Sequence, residues 1–254
     1  MSRLFSDEGI IGGLNRISLL FALVISLVSS TQAAGPNQLS PEERAGGWRL
    51  LFDGKTTDGW LEITGKPFPA NCWTVADQSL QALVRTDGFQ DIRTTDEFES
   101  FELQFDWKIR KDGNSGVKYL IQRVDEWTNK AGRQARARGL EYQLADDTNE
   151  DAASDPRRVA GSLYSLIAPS PRLRPRIGEF NHSLLVVRGD HVEHWLNGVK
   201  VVAFDVTSAE VEKLMRSDLP KGVSPTTPLA RRSPISLQNH SSETWFRNIK
   251  IRRL

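Results

Sequence analysis

Phe101-Glu102-Leu103-Gln104-Phe105-Asp106-Trp107-Lys108-Ile109 is the stretch that decides the fold. Large apolar side chains stand at every second position, with charged or amide side chains between them. Successive side chains of a strand point to opposite faces, so this is a long β-strand with one buried and one polar face. The same period continues on both sides. Val117, Tyr119 and Ile121 repeat it, and Leu140, Tyr142 and Leu144 repeat it again with Glu141 and Gln143 opposite. Leu184 to Arg188 meets Val192 to Leu196 across Gly189-Asp190, and Asn197-Gly198 then turns the chain into Val199 to Phe204. Asn-Gly between apolar runs marks a hairpin, because both turn residues take positive φ. A closing strand is expected over Trp245 to Ile251. Ser208 to Arg216 is the one segment that reads as a helix, capped by Ser208 with Val211, Leu214 and Met215 on one face. Many short strands separated by turns predict an all-β sandwich of two antiparallel sheets with one short helix.

The chain has 254 residues and a formal net charge of +1. That balance supplies no field for a nucleic acid or an anionic membrane surface. Arg133 to Arg138 and Arg172 to Arg176 are Arg-rich but lack interleaved aromatics, and they read as solvated loop. No phosphate-binding Gly loop, Cys/His zinc pattern or serine nucleophile elbow occurs. The one cysteine, Cys72, cannot form an internal disulfide and reads as a small buried residue beside Trp73.

Ile17 to Val28 is apolar and uncharged, follows Arg3 and Arg16, and precedes the small residues of Ser29 to Ala34. About a dozen apolar residues suit the h-region of a signal peptide better than a bilayer span. Residues 1–34 are therefore expected to be a leader cleaved near Ala33, with an uncleaved anchor as the alternative. The protein is expected to be exported, periplasmic or secreted. Residues 35–46 read as a polar entry segment with at most one helical turn, and 47–254 as the sandwich. Arg123 to Arg138 and Asn149 to Arg176 read as long loops that either rim a cleft or are solvated insertions.

Several segments together resemble the 3-keto-disaccharide hydrolase family. They are Leu50-Leu-Phe-Asp-Gly-Lys55 with Asp58-Gly-Trp60, Asn114-Ser-Gly116, Gly139-Leu-Glu-Tyr-Gln-Leu-Ala-Asp146, Glu193-His-Trp-Leu-Asn-Gly198, Ile235-Ser-Leu-Gln-Asn-His240 and Trp245-Phe-Arg-Asn-Ile249. The resemblance spans Trp48 to Arg253. Phe180-Asn181 stands where the family has Trp-Asn, and Lys221 to Pro234 is Pro- and Arg-rich where the family has a glycine lead-in. The resemblance implies a concanavalin A-like jelly roll whose concave sheet holds carbohydrate. It also implies a glycoside already oxidised to a ketone at C3. A base would remove the acidified C2 proton, the C1 substituent would be expelled, and water would complete a net hydrolysis.

On that basis Glu141 is expected to be the base, with His194 as competitor and His240 as a further catalytic candidate. Asn114, Gln143, Gln238 and Arg247 would bind hydroxyls or the ketone, and Trp195 would offer an aromatic plate. A divalent metal is an optional electrophile, with Glu141 and Asp146 as its ligands and His240 as a third. His182 and His191 read as surface residues. A functional link to a sugar 3-oxidoreductase is expected, since ordinary glycosides lack an acidic C2 proton. A non-catalytic carbohydrate-binding sandwich is the alternative, and an envelope assembly module a third. The oligomeric state is open.

Overall fold

The structure, a computed structural model, describes residues 35–84 and 88–254. The leader expected over residues 1–34 lies outside the described residues. In chain order come α1 (Pro41–Ala45), β1 (Arg49–Leu50), β2 (Trp60–Glu62), β3 (Trp73–Ala76), β4 (Ser79–Ala82), β5 (Gly88–Gln90), β6 (Ile92–Thr94), β7 (Phe101–Ile109), β8 (Asn114–Asn129) and β9 (Gly132–Ala145). Then follow α2 (Glu150–Ser154), a 3-10 turn at Pro156–Arg158, β10 (Asn181–Arg188), β11 (His191–Leu196), β12 (Val199–Asp205), α3 (Ala209–Ser217), β13 (Ser236–Leu237) and β14 (Thr244–Arg253).

The strands form two sheets. One runs β12-β11-β10-β7-β14-β4-β3, with β1 also on β14, and the other runs β2-β6-β13-β8-β9-β5. Every pairing is antiparallel except β5 with β9. β7 lies within the first sheet, and its odd-numbered apolar residues are all buried while the intervening ones are part-exposed. They pack between the sheets with Trp73, Tyr119, Tyr142 and Phe246, all essentially fully buried, in one continuous core. Burial of that much aromatic surface, roughly 25 cal/mol per Å² removed from water, is the main force closing the sandwich. Cys72 belongs to this core. Asn197 and Gly198 take φ of 48° and 83°, the left-handed pair that the tight β11–β12 turn requires.

The structure corrects the reading of residues 123–138 as a loop. Here β8 and β9 continue as paired strands, with Arg123 opposite Arg138 and Asn129 opposite Gly132, and β5 joins β9 along Arg133 to Ala135. Ala135 and Ala137 are its buried apolar positions, packed on Ile63 and Ile121. Alanine is weak in strand propensity, so the period-two signal is faint there. Cross-strand charge supplies the order instead. Arg138 bonds Asp125 at 2.7 Å and Arg133 bonds Glu126 at 2.7 Å. A second correction concerns helices. The expected helix is α3, but Asn149 also caps α2 within the segment read as loop, accepting from the Asp151 N–H at 3.1 Å. No helix among the described residues is long and apolar enough to cross a membrane.

Candidate active site on the outer face of the six-stranded sheet

In an antiparallel pair, directly opposed residues share a face. Lys118 opposes both Glu141 of β9 and Ser236 of β13, and Gly116 opposes Gln143. Asn114, Gly116, Lys118, Glu141, Gln143, Ser236 and Gln238 therefore line one face. It is the outer one, because the alternate residues Val117, Tyr119, Leu140 and Tyr142 fill the core. Gln238 is held there by its backbone N–H, which donates to the Gly116 carbonyl at 2.9 Å.

The centre of this face is a buried charge cluster. The Lys118 ammonium lies 3.7 Å from Glu141 Oε2 and 3.6 Å from Asp91 Oδ2, and donates to the Ala137 carbonyl at 3.1 Å. Asp91 is fully buried and also accepts the backbone N–H groups of Ala137 (3.1 Å) and Asn239 (3.2 Å). Those bonds fix Asp91 as the anchor that aims Lys118. Glu141 is the freer acid. Burial pushes its carboxyl above the ordinary glutamate range, the neighbouring Lys118 partly offsets this, and the Asp91 charge adds to it.

Gly116 leaves room for that carboxylate. A Cβ on Gly116 would stand 2.1 Å from Glu141 Oε1. The carboxylate thus folds across the glycine, with Oε1 over Gly116 and Oε2 toward Lys118. Beside it, Gln143 Nε2 donates to Asn114 Oδ1 at 3.3 Å. The buried Oε1 atoms of Gln143 and Gln238 have no partner among the described residues. Buried acceptors without donors are costly, and a hydroxyl-bearing ligand on this face would supply the donors.

Two cavities open here. One of about 180 Å³ is lined by Lys118, Glu141, Arg138, Tyr164, Leu214 and Asp218 among others. The other, about 440 Å³, is lined by Asn114, Asn149, Asp151, Ser154, Arg158 and His240 among others. His240 is at its mouth. Although its ring reaches solvent, the surrounding protein, with the Arg136 and Lys118 cations, pushes it down to about 4, so it is neutral at pH 7.

Five of the expected site residues, Asn114, Glu141, Gln143, Gln238 and His240, therefore come together, and four do not. His194 sits on the inner face of β11 and is fully buried. Its Nδ1–H donates to the Gly161 carbonyl at 3.0 Å, so Nε2 accepts from the Tyr119 hydroxyl at 2.7 Å. Both nitrogens are used inside the core, which corrects its candidacy as base. Trp195 opposes Leu184, which opposes Gln104, and Arg247 opposes Asp106. Both thus lie on the outer face of the other sheet. There the Trp195 indole N–H donates to Glu193 at 2.8 Å, and the Arg247 guanidinium stacks 3.7 Å from the Phe180 ring centroid. Asp146 lies one residue past the end of β9, in the turn that follows it. Its carboxylate accepts from the Asp112 N–H and the Thr148 hydroxyl. Among the described residues no three His, Cys, Asp or Glu groups form a ligand set.

Sequence reasoning missed Lys118, Asp91, Gly116 and Tyr164. Lys118 did carry a signal. It stands between the core residues Val117 and Tyr119, where period two leaves a single lysine on the face shared with Asn114 and Gly116.

A jelly-roll sandwich with a buried acid–lysine pair and unfilled hydrogen-bond acceptors on one outer sheet face defines the class of protein. Within that class, the chain belongs to the 3-keto-alpha-glucoside-1,2-lyase-like domain family, which it matches over residues 47–252. It is similar to a 3-keto-disaccharide hydrolase of Bacteroides thetaiotaomicron, with 29% identity covering 91% of this chain and 87% of the relative. Among solved structures it resembles a candidate glycosyl hydrolase of Parabacteroides distasonis, with 30% identity, a TM-score of 0.70, and 87% of this chain and 100% of that one covered. A second such protein from the same organism superposes with a TM-score of 0.57 at 28% identity, over 82% of this chain and 99% of that one.

Proposed function

We propose that this protein cleaves glycosides oxidised to a ketone at C3, by elimination across C2 and C1. The observation that carries this reading is the Glu141 carboxylate, raised by burial, aimed over Gly116 and paired with the anchored Lys118. A base works best when its pKa approaches the working pH, and burial moves Glu141 in that direction. Glu141 takes the C2 proton, and the C2–H electron pair forms an enolate whose oxygen is stabilised by the Lys118 ammonium. Collapse of the enolate breaks the C1–O bond. The departing oxygen takes a proton, returned by Glu141, so the carboxylate is regenerated. The products are an enone with a C1=C2 double bond and the free alcohol, and addition of water across that double bond, hydroxyl to C1 and proton to C2, completes net hydrolysis. Asn114, Gln143 and Gln238 bind hydroxyls. The protein acts outside the cytoplasm, downstream of an oxidoreductase that makes the 3-ketone.

The test is turnover of a panel of 3-keto disaccharides by the purified protein and by Glu141→Gln. Loss of a general base lowers the rate about 10²–10⁴-fold. Full activity in Glu141→Gln would end the base assignment. Saturable sugar binding without turnover by the wild type would instead establish the non-catalytic carbohydrate-binding alternative.

A further inference from the structure

The two cavities on the outer face are separated by a hydrogen-bonded partition. The Tyr164 hydroxyl donates to Asp151 Oδ2 at 2.8 Å, and Arg158 Nη1 donates to Asp151 Oδ1 at 2.6 Å. Tyr164 walls the smaller cavity, while Asp151 and Arg158 wall the larger. Along β8, Lys118 lines the first and Asn114 the second, four residues apart, or roughly 13 Å at the usual strand rise. Gly116 lies between them, and the Glu141 carboxylate lies over Gly116. The reactive acid thus lines the smaller chamber and leans over Gly116 on the side toward the larger one.

We propose that the face is a two-chamber substrate site: the 180 Å³ chamber beside Lys118 holds the oxidised ring, and the 440 Å³ chamber receives a neutral, hydroxyl-rich leaving group. This rests on the elimination reading above. The chambers are assigned by their chemistry. Lys118, the buried ammonium beside Glu141, lines the smaller chamber and not the larger, so the ring whose enolate needs a cation lies there. Leu214 of α3 and Tyr164 enclose that ring. The larger chamber has the exposed residues Glu150, Ser154 and His240 around it, so a group released there reaches bulk solvent directly.

The lining of the larger chamber also sets what it accepts. Asn114, Asn149 and Ser154 each keep a spare N–H or lone pair beyond their bonds within the protein, and these match hydroxyls. Arg158 is paired with Asp151, and Glu150 remains as surplus negative charge. An anionic leaving group would face that charge, with Arg158 already paired to Asp151.

Ser154→Trp tests the assignment, because Ser154 is exposed and a bulky side chain there fills the chamber without entering the core. The substrates are a 3-keto disaccharide and 3-keto-glucosyl fluoride, whose leaving group needs no chamber. The expected result is a fall of at least tenfold in kcat/KM for the disaccharide with the fluoride within twofold of wild type. Equal falls for both, or no change in either, would overturn the proposal. Binding is read separately by titrating glucose into ¹⁵N-labelled protein. Saturable shifts of the Asn114 and Asn149 side-chain amides, lost in Ser154→Trp, support a sugar chamber, and their absence from the wild type refutes it. Intact glucose shifts in a protein that turns over neither substrate would reject the elimination chemistry and retain the chamber.

Discussion

Gly116→Ala tests the core of the site with one methyl group. The added Cβ would stand 2.1 Å from Glu141 Oε1, 2.8 Å from its Cδ and 2.9 Å from its Cγ, whereas ordinary contact begins near 3.4 Å. The carboxylate must therefore retreat by about 1.3 Å. Misplacing a reacting group by about 1 Å costs on the order of 100-fold in rate. We expect kcat on a 3-keto disaccharide to fall about 100-fold, or about 2.7 kcal/mol of activation free energy. Stability should not fall with it. Gly116 has no positive φ, the displaced group is the end of a flexible side chain, and alanine in a strand interior gains roughly 0.5–1 kcal/mol over glycine. The assay pairs steady-state kinetics with urea unfolding of both proteins. A double-mutant cycle separates displacement from any other cause. In Glu141→Asp the shorter acid no longer reaches over residue 116, so adding Gly116→Ala should cost little more. Wild-type kcat in Gly116→Ala, or a full additive loss in the double variant, would refute the placement of the base.

Three further outcomes follow from the same geometry. Since the base acts ionised and burial raises Glu141, kcat should rise with pH through a value above that of an exposed glutamate; Lys118→Met removes the main opposing influence and should move this limb higher in a pH–rate profile. His194 is pushed down to about 4 by burial, against an unfolded value of about 6.5, so the unfolded chain takes up the proton first. Its contribution, about 3 kcal/mol, is complete above pH 6.5 and lost as the pH falls toward 4; urea unfolding against pH should show this loss and His194→Gln should flatten it. Trp195→Ala and Arg247→Ala alter the opposite sheet face, so each should leave turnover of a 3-keto disaccharide within twofold of wild type.

The strands were legible wherever large apolar residues alternate, as from Phe101 to Ile109, because burial on one face leaves a strong period in the sequence. The stretch over 123–138 was not, since its inward apolar residues are alanines and its order comes from Arg–Asp and Arg–Glu pairs across strands. Within the site, Glu141 and Gln143 were visible as polar residues alternating with core residues of β9. Strand parity alone does not say which sheet carries the ligand, so Trp195 and Arg247 were assigned to a face they do not share. Asp146 follows β9, where the Asp112 N–H and the Thr148 hydroxyl take up its carboxylate, contacts that strand parity does not foretell. Asp91 was hidden for another reason. Its role depends on Lys118, Ala137 and Asn239, three neighbours brought together only by the fold.

That dependence has a consequence for how the molecule is made. Asp91 is tied to Asn239 across 148 residues, and Ser115 to Gln238 across 123. β14 inserts between β7 and β4, both synthesised much earlier. Neither sheet can close until this late segment arrives, so contacts distant in sequence must form together and folding is slow. The growing chain carries its acid and its lysine without the frame that makes them a pair. Competence therefore depends on the last part of the chain to be made.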